Sequence, residues 1–77
     1  MDWKTDNNKW VKEFEFSNFA EAVNFVNKIV PLAESADHHP DILVHSCKKV
    51  RIELFTHSLG KITDKDYDLA KEIDKII

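Results

Sequence analysis

The sequence holds a single cysteine, Cys47, so no disulfide can form within one chain. A lone thiol suits a reducing compartment. Blocks of Lys or Arg are missing too: 11 basic and 14 acidic residues are interspersed for a net charge of −3. Nothing here could neutralise a run of phosphates, which argues against nucleic-acid binding. No apolar run approaches the ~18 residues that span a bilayer. The opening residues, MDWKTDNNK, lack the apolar stretch of a signal peptide. The expectation is a cytoplasmic protein with neither membrane nor nucleic acid as partner. Glycine is scarce, Gly60 being the only one. The segment Ser46-Cys47-Lys48-Lys49 has neither Gly nor Asn to specify its turn. Repeats and low-complexity stretches are absent.

What is present is ordinary for a globular domain: 43% hydrophobic and 32% charged residues. Seventy-seven residues make one small domain, 1–77. At this size a single core supplies only about 3–5 kcal/mol of net stability. With disulfides excluded, self-association is the remaining source of buried area, and a homodimer or homotetramer is expected.

Residues 9–16, KWVKEFEF, alternate with Trp10, Phe14 and Phe16 on one face and Val11, Glu13 and Glu15 on the other. That is the pattern of a half-buried strand. Asp6-Asn7-Asn8 is turn material, so a short strand near Trp3 would complete a hairpin. Ser17 reads as an N-cap for a helix whose apolar positions are Phe19, Ala22, Val23, Val26, Ile29 and Val30. Pro31 would clash with the carbonyl of Asn27, so the helix either kinks there or ends near Val30. Pro40 biases His39 away from the helical region. Residues 42–47 and 50–57 read as two strands, the second with Val50, Ile52 and Leu54 on one face and Arg51, Glu53, Phe55 and His57 on the other. Thr63 and Asp66 resemble a capping box opening a final helix with Leu69, Ala70, Ile73, Ile76 and Ile77 as its apolar stripe. The fold class is α+β: a two-layer sandwich of an antiparallel sheet of about four strands with both helices on one face.

The chemistry centres on the histidines, of which there are four: His38, His39, His45 and His57. Three readings of the segment ESADHHPDI compete. His38 and His39 could be plain polar residues of a helix–strand loop. A metal site is disfavoured, because adjacent residues rarely aim both imidazoles at one ion and no spacing matches a structural zinc pattern. Acid–base chemistry is open to a histidine whose tautomer is set by a nearby carboxylate, and Glu34 and Asp37 stand close in sequence.

The succession FEFSNFAEAVNFVNKI, AESADHHPDI, VRIELFTHS and GKITDKDYDLA, from Phe14 to Asp66 and beyond, resembles the pterin-4a-carbinolamine dehydratase family. Its specific elements are Glu34 with His38-His39-Pro40, Thr56-His57, and Asp66. The resemblance implies dehydration of 4a-hydroxytetrahydrobiopterin to quinonoid dihydropterin and water, recycling the pterin of aromatic amino acid hydroxylases without a metal or organic cofactor. It also implies that His38 and His57 form the acid–base pair and that His39 helps bind the pterin. Glu34, Asp37 and Pro40 would complete the binding set, the two carboxylates orienting imidazoles or bonding the ring edge. Asp66 is expected to be structural, by bonding backbone amides. Trp3 either flanks the pterin or is a core aromatic. Two departures stand out: Cys47 occupies the place of a usual aromatic residue, and the segment after HHP is one residue longer. His45 matches no functional position of the family. Because the family also includes dimerisation cofactors and assembly chaperones, a non-catalytic protein-binding role is the alternative; retention of the whole histidine set favours the enzyme.

Overall fold

Asn7 and Asn8 both lie in the left-handed region, with φ of 54° and 66°, which a tight two-residue hairpin requires at its central positions. In the computed structural model, which describes residues 2–77, they join β1 (Lys4–Asp6) to β2 (Lys9–Glu15). Then follow α1 (Phe19–Ala36), β3 (Asp41–His45), β4 (Lys49–Leu54) and α2 (Asp64–Lys75). The four strands form one antiparallel sheet in the order β1-β2-β4-β3, and both helices pack on one face of it. The expected two-layer α+β sandwich is therefore the fold.

The pleat divides the sheet as the alternation predicts. Val50, Ile52 and Leu54 are fully buried and meet Phe14, Phe25, Ile29, Leu69 and Ile73 in one core. The other face is open and carries a charged lattice. Arg51 Nε donates to Glu53 at 2.8 Å, Arg51 also reaches Asp6 at 2.8 Å, and Lys9 bridges Glu53 and Asp41 at 3.4 and 3.5 Å. Val11, in register with Lys4 and Glu53 on this face, is nevertheless only 1% exposed. Long charged side chains laid over an apolar residue can bury it without a second layer.

Several boundaries differ from the sequence expectation. Asn18, not Ser17, caps α1: its backbone is extended and its side chain accepts the Glu21 N–H at 2.9 Å. The Phe16 N–H is bonded to the Lys48 carbonyl at 2.9 Å, which prolongs the strand and leaves Ser17 as connector. Pro31 neither ends nor opens a second turn, because α1 runs through it to Ala36. Pro31 and Asn27 are both exposed, so the carbonyl deprived of its partner faces water. The core face of α1 is Ala22, Phe25, Ile29 and Ala33, whereas Phe19 and Val30, expected inside, are 56% and 51% exposed. The apolar positions span a wider arc than one sheet covers. β3 and β4 stop at His45 and Leu54, earlier than expected, the first because Ser46 and Cys47 turn with positive φ (52° and 70°). At the end of β4, Thr56 pairs with Lys61 in an isolated bridge, placing His57 in a turn rather than on a strand.

Trp3 belongs to the core edge. It stacks on Trp10, its Nε1 donates to Asp74 at 3.0 Å, and Lys12, also bonded to Asp74, lies over the Trp3 and Phe14 rings.

Candidate active site

The two ends of the helices that meet above the sheet build the site. α1 terminates because Asp37 adopts the left-handed conformation (φ 50°), its N–H turning back to the carbonyls of Ala33 and Glu34, while the His38 N–H bonds the Ala33 carbonyl at 3.1 Å. This six-to-one closure is the usual way a helix end satisfies its last carbonyls, and it presents His38 and His39 at a fixed exit. Asp37 forms the backbone turn, and its side chain is exposed beside it.

The neighbouring histidines take different partners. His38 Nε2 lies 2.5 Å from Asp66 Oδ1, with the imidazole 11% exposed and the carboxylate fully buried. His39 Nε2 lies 3.3 Å from Glu34 Oε1, both side chains being largely exposed. They also line different hollows. His38 borders a groove of about 290 Å³ between the helices, with Leu32, Ala36 and Leu69 as apolar floor and Ser35, Lys65, Asp68 and Glu72 around it. His39, Glu34 and Pro40 line a cleft of about 140 Å³ with Ile42 and Ala33.

Asp66 is the hinge of the arrangement. As third residue of α2 it bonds the Thr63 N–H at 2.9 Å, the backbone contact that the capping pattern predicts. It also accepts the Thr56 hydroxyl at 2.8 Å on the same oxygen, Oδ2, and the Thr63 hydroxyl sits 2.7 Å from Thr56 Oγ1. With Oδ2 taken up by these donors, Oδ1 is left to accept from His38. A carboxylate oxygen accepts, so Nε2 carries the proton of this bond, and in the neutral imidazole Nδ1 keeps the lone pair. No buried side-chain nitrogen or oxygen among the described residues is left without a partner. His57 follows Thr56 directly, exposed in the turn, its ring 5.2 Å from that of Phe55. Thus the turn of His57 is tied to His38 through Thr56 and Asp66, whereas His39 and Glu34 border a separate hollow.

Sequence reasoning named Thr56 and Thr63 but missed the meeting of their hydroxyls at Asp66 and the partnership of Asp66 with His38. The Thr63–Asp66 spacing was visible as a cap; nothing in it points to a histidine 28 positions earlier. Among the described residues, no three of His, Cys, Asp or Glu converge closely enough to hold a metal ion, and none of the helices is long and apolar enough to cross a membrane. His45 bonds Glu13 at 2.9 Å and Ser46 at 3.0 Å on the open face of the sheet.

A family model described as pterin 4 alpha carbinolamine dehydratase matches residues 1–76. The chain belongs to this family. A Sulfolobus acidocaldarius protein that bears the name of this dehydratase provisionally is 53% identical over 74 residues, covering 96% of this chain and 80% of the relative. A similarly named protein of Picosynechococcus is 49% identical over 75 residues, with 97% and 80% covered. Among solved structures, one described as a transcriptional coactivator/pterin dehydratase from Brucella melitensis superposes with a TM-score of 0.87 at 28% identity, over 96% of this chain and 80% of that one. A pterin dehydratase-like protein described as a RuBisCO assembly factor in the alpha-carboxysome shares the fold, with a TM-score of 0.78 at 23% identity over 97% and 88% of the two chains.

Proposed function

We propose that this member of the pterin carbinolamine dehydratase family is an active dehydratase. Its substrate is 4a-hydroxytetrahydrobiopterin or a close pterin analogue, and its products are quinonoid dihydropterin and water. The reaction removes a proton from N5, forms the C4a–N5 double bond and expels the 4a-hydroxyl. Hydroxide leaves poorly, so one group must take the N5 proton while another protonates the departing oxygen. His38 and His57 fill these roles. The observation that carries the reading is the buried Asp66 carboxylate on His38 Nε2, which leaves Nδ1 as the basic nitrogen. His57, exposed in its turn, is free to exchange protons with water between turnovers. His39, Glu34, Asp37 and Pro40 bind the pterin, with His39 and Glu34 offering hydrogen bonds at the edge of their cleft. The physiological setting is pterin recycling beside an aromatic amino acid hydroxylase in the cytoplasm.

The deciding experiment is a direct dehydration assay with freshly generated 4a-hydroxypterin, corrected for spontaneous dehydration. Acceleration that saturates with substrate supports the proposal; a rate equal to the uncatalysed one refutes it. Activity should survive dialysis against a strong chelator, since neither a metal nor an organic cofactor enters the mechanism.

A second reading rests on the surface of α1. Phe19 and Val30 are about half exposed, and a chain of this length buries only about 60% of its unfolded surface or slightly more. These residues, together with an unpaired strand edge, support a homodimer or homotetramer. They also suit a non-catalytic role in dimerising or assembling another protein. Light scattering at micromolar concentration separates the cases: a stable species near the 9.0 kDa of one chain would refute self-association.

A further inference from the structure

Thr56 is linked to both histidines assigned above to proton transfer, by two separate routes: through the Asp66 carboxylate to His38 and through the backbone to His57. Its hydroxyl donates to Asp66 Oδ2 at 2.8 Å, and the other oxygen of that carboxylate holds His38. Its carbonyl accepts the N–H groups of Leu59 and Gly60 at 3.1 and 2.9 Å, and its own N–H donates to the Lys61 carbonyl at 3.1 Å. These bonds close the turn that carries His57. Thr56 is 4% exposed and Asp66 fully buried, so water does not compete for the bond between their side chains. Because the Thr56 proton is committed to Asp66, the Thr63 hydroxyl, 2.7 Å away, is the donor of that pair. The Thr56 side chain is therefore held from both sides.

We propose that Thr56 is a positioning residue for proton transfer, its hydroxyl locking the Asp66 carboxylate that selects the His38 tautomer while its backbone fixes the turn of His57. The proposal rests on the acid–base reading. A donor on Oδ2 sets the plane of the carboxylate and keeps Oδ1 aimed at Nε2, so the proton stays on Nε2 and the lone pair on Nδ1. Without that hydroxyl only the Thr63 N–H remains on Oδ2, so the carboxylate turns more freely about its Cβ–Cγ bond and its hold on the imidazole tautomer weakens. Thr63 extends the lock by one hydroxyl.

The test compares Thr56→Val, which keeps shape and branching but deletes the hydroxyl, with Thr56→Ser, which keeps it. Thr56→Val should lower kcat by about 10-fold, the lower end of what outer-shell partners of a working imidazole contribute, with KM within about twofold of wild type. Thr56→Ser should recover most of the loss. In a His38→Ala background the same Thr56→Val change should have no further effect on kcat, because the hydroxyl acts only through His38. A purely structural hydroxyl would lower both backgrounds by the same factor, which would overturn the proposal. A second readout does not depend on turnover: imidazole nitrogen NMR above the histidine titration range should find the His38 proton on Nε2 in the wild type and a mixture of tautomers in Thr56→Val. A folded Thr56→Val chain with an unchanged tautomer and unchanged kcat would also overturn the proposal. If the wild type lacks dehydratase activity, the acid–base reading fails, and the NMR comparison still decides whether Thr56 sets the tautomer. Should Thr56→Val not fold, Thr63→Ala removes the outer hydroxyl alone and should give the same tautomer mixing to a smaller extent; a wild-type spectrum there would count against the lock.

Discussion

His38 and His39 are adjacent, each has a carboxylate on Nε2, and the two pairs are chemically alike. Their surroundings are not. The Asp66 carboxylate is fully buried and takes backbone and hydroxyl donors besides His38; Glu34 is 69% exposed beside a His39 that is 58% exposed. In low dielectric a satisfied network holds one geometry and resists the loss of any member. In water the same pair is screened, mobile and worth about 0–1 kcal/mol. One histidine is thus fixed and shielded, which suits the basic nitrogen proposed for His38. The other is free to move with a ligand, which suits the binding role proposed for His39.

The largest expected difference is in turnover. His38→Ala and His57→Ala should each lower kcat by roughly 10²–10⁴-fold, the usual worth of a general acid or base. The double variant should lose less than the product of the two. His39→Ala should raise KM more than it lowers kcat. Steady-state kinetics on the three single variants would erase the contrast if His39→Ala proved the most damaging to kcat and His38→Ala left it near wild type.

Next in size is stability. Asp66→Ala strips three donors, on Thr56, Thr63 and His38, of their buried acceptor and should cost about 3 kcal/mol or more. That is most of what so small a core supplies. Glu34→Gln should cost less than about 1 kcal/mol. Urea titrations followed by circular dichroism measure both, and equal midpoints for the two variants would show that burial does not separate the pairs.

A smaller effect tests the rule on the far side of the sheet. Arg51, then Lys9, hold the Glu53 carboxyl below its ordinary range, against a partial desolvation that opposes them. A carboxylate with a depressed folded-state pKa contributes its stability in full above its unfolded value and loses it as pH falls through the folded one. Stability should therefore decline on the acid side of the carboxylate range, and Glu53→Gln should flatten that decline. Since the lattice is only partly shielded from solvent, added salt should shrink the difference. A salt-independent difference would mean the lattice behaves as a buried network.

Much of this was legible from residue patterns. Alternation assigned Val50, Ile52 and Leu54 to the buried face, and Asn7-Asn8 marked a hairpin, because both signals depend only on local backbone geometry. The inward face of α1 was less legible. Phe25 is core while Phe19 and Val30 are outside, since an apolar arc wider than the sheet does not say which part will be covered. The early end of β4 was hidden because Thr56 leaves the strand through bonds to Lys61 and Gly60, which periodicity cannot register.

By itself the sequence determined the α+β class, the hairpin, the cap at Thr63 and Asp66, and the histidines with their family, since each is carried by residue type at short spacing. Only the tertiary structure decided that His38 belongs to Asp66 and His39 to Glu34, and that Thr56 stands between the two proton-transfer candidates. Glu34 and Asp37 were the nearer carboxylates along the chain, yet the left-handed turn at Asp37 and the docking of α2 bring a distant one to His38. Partner choice in a buried network follows from which chain ends meet above the sheet, and that is settled by packing.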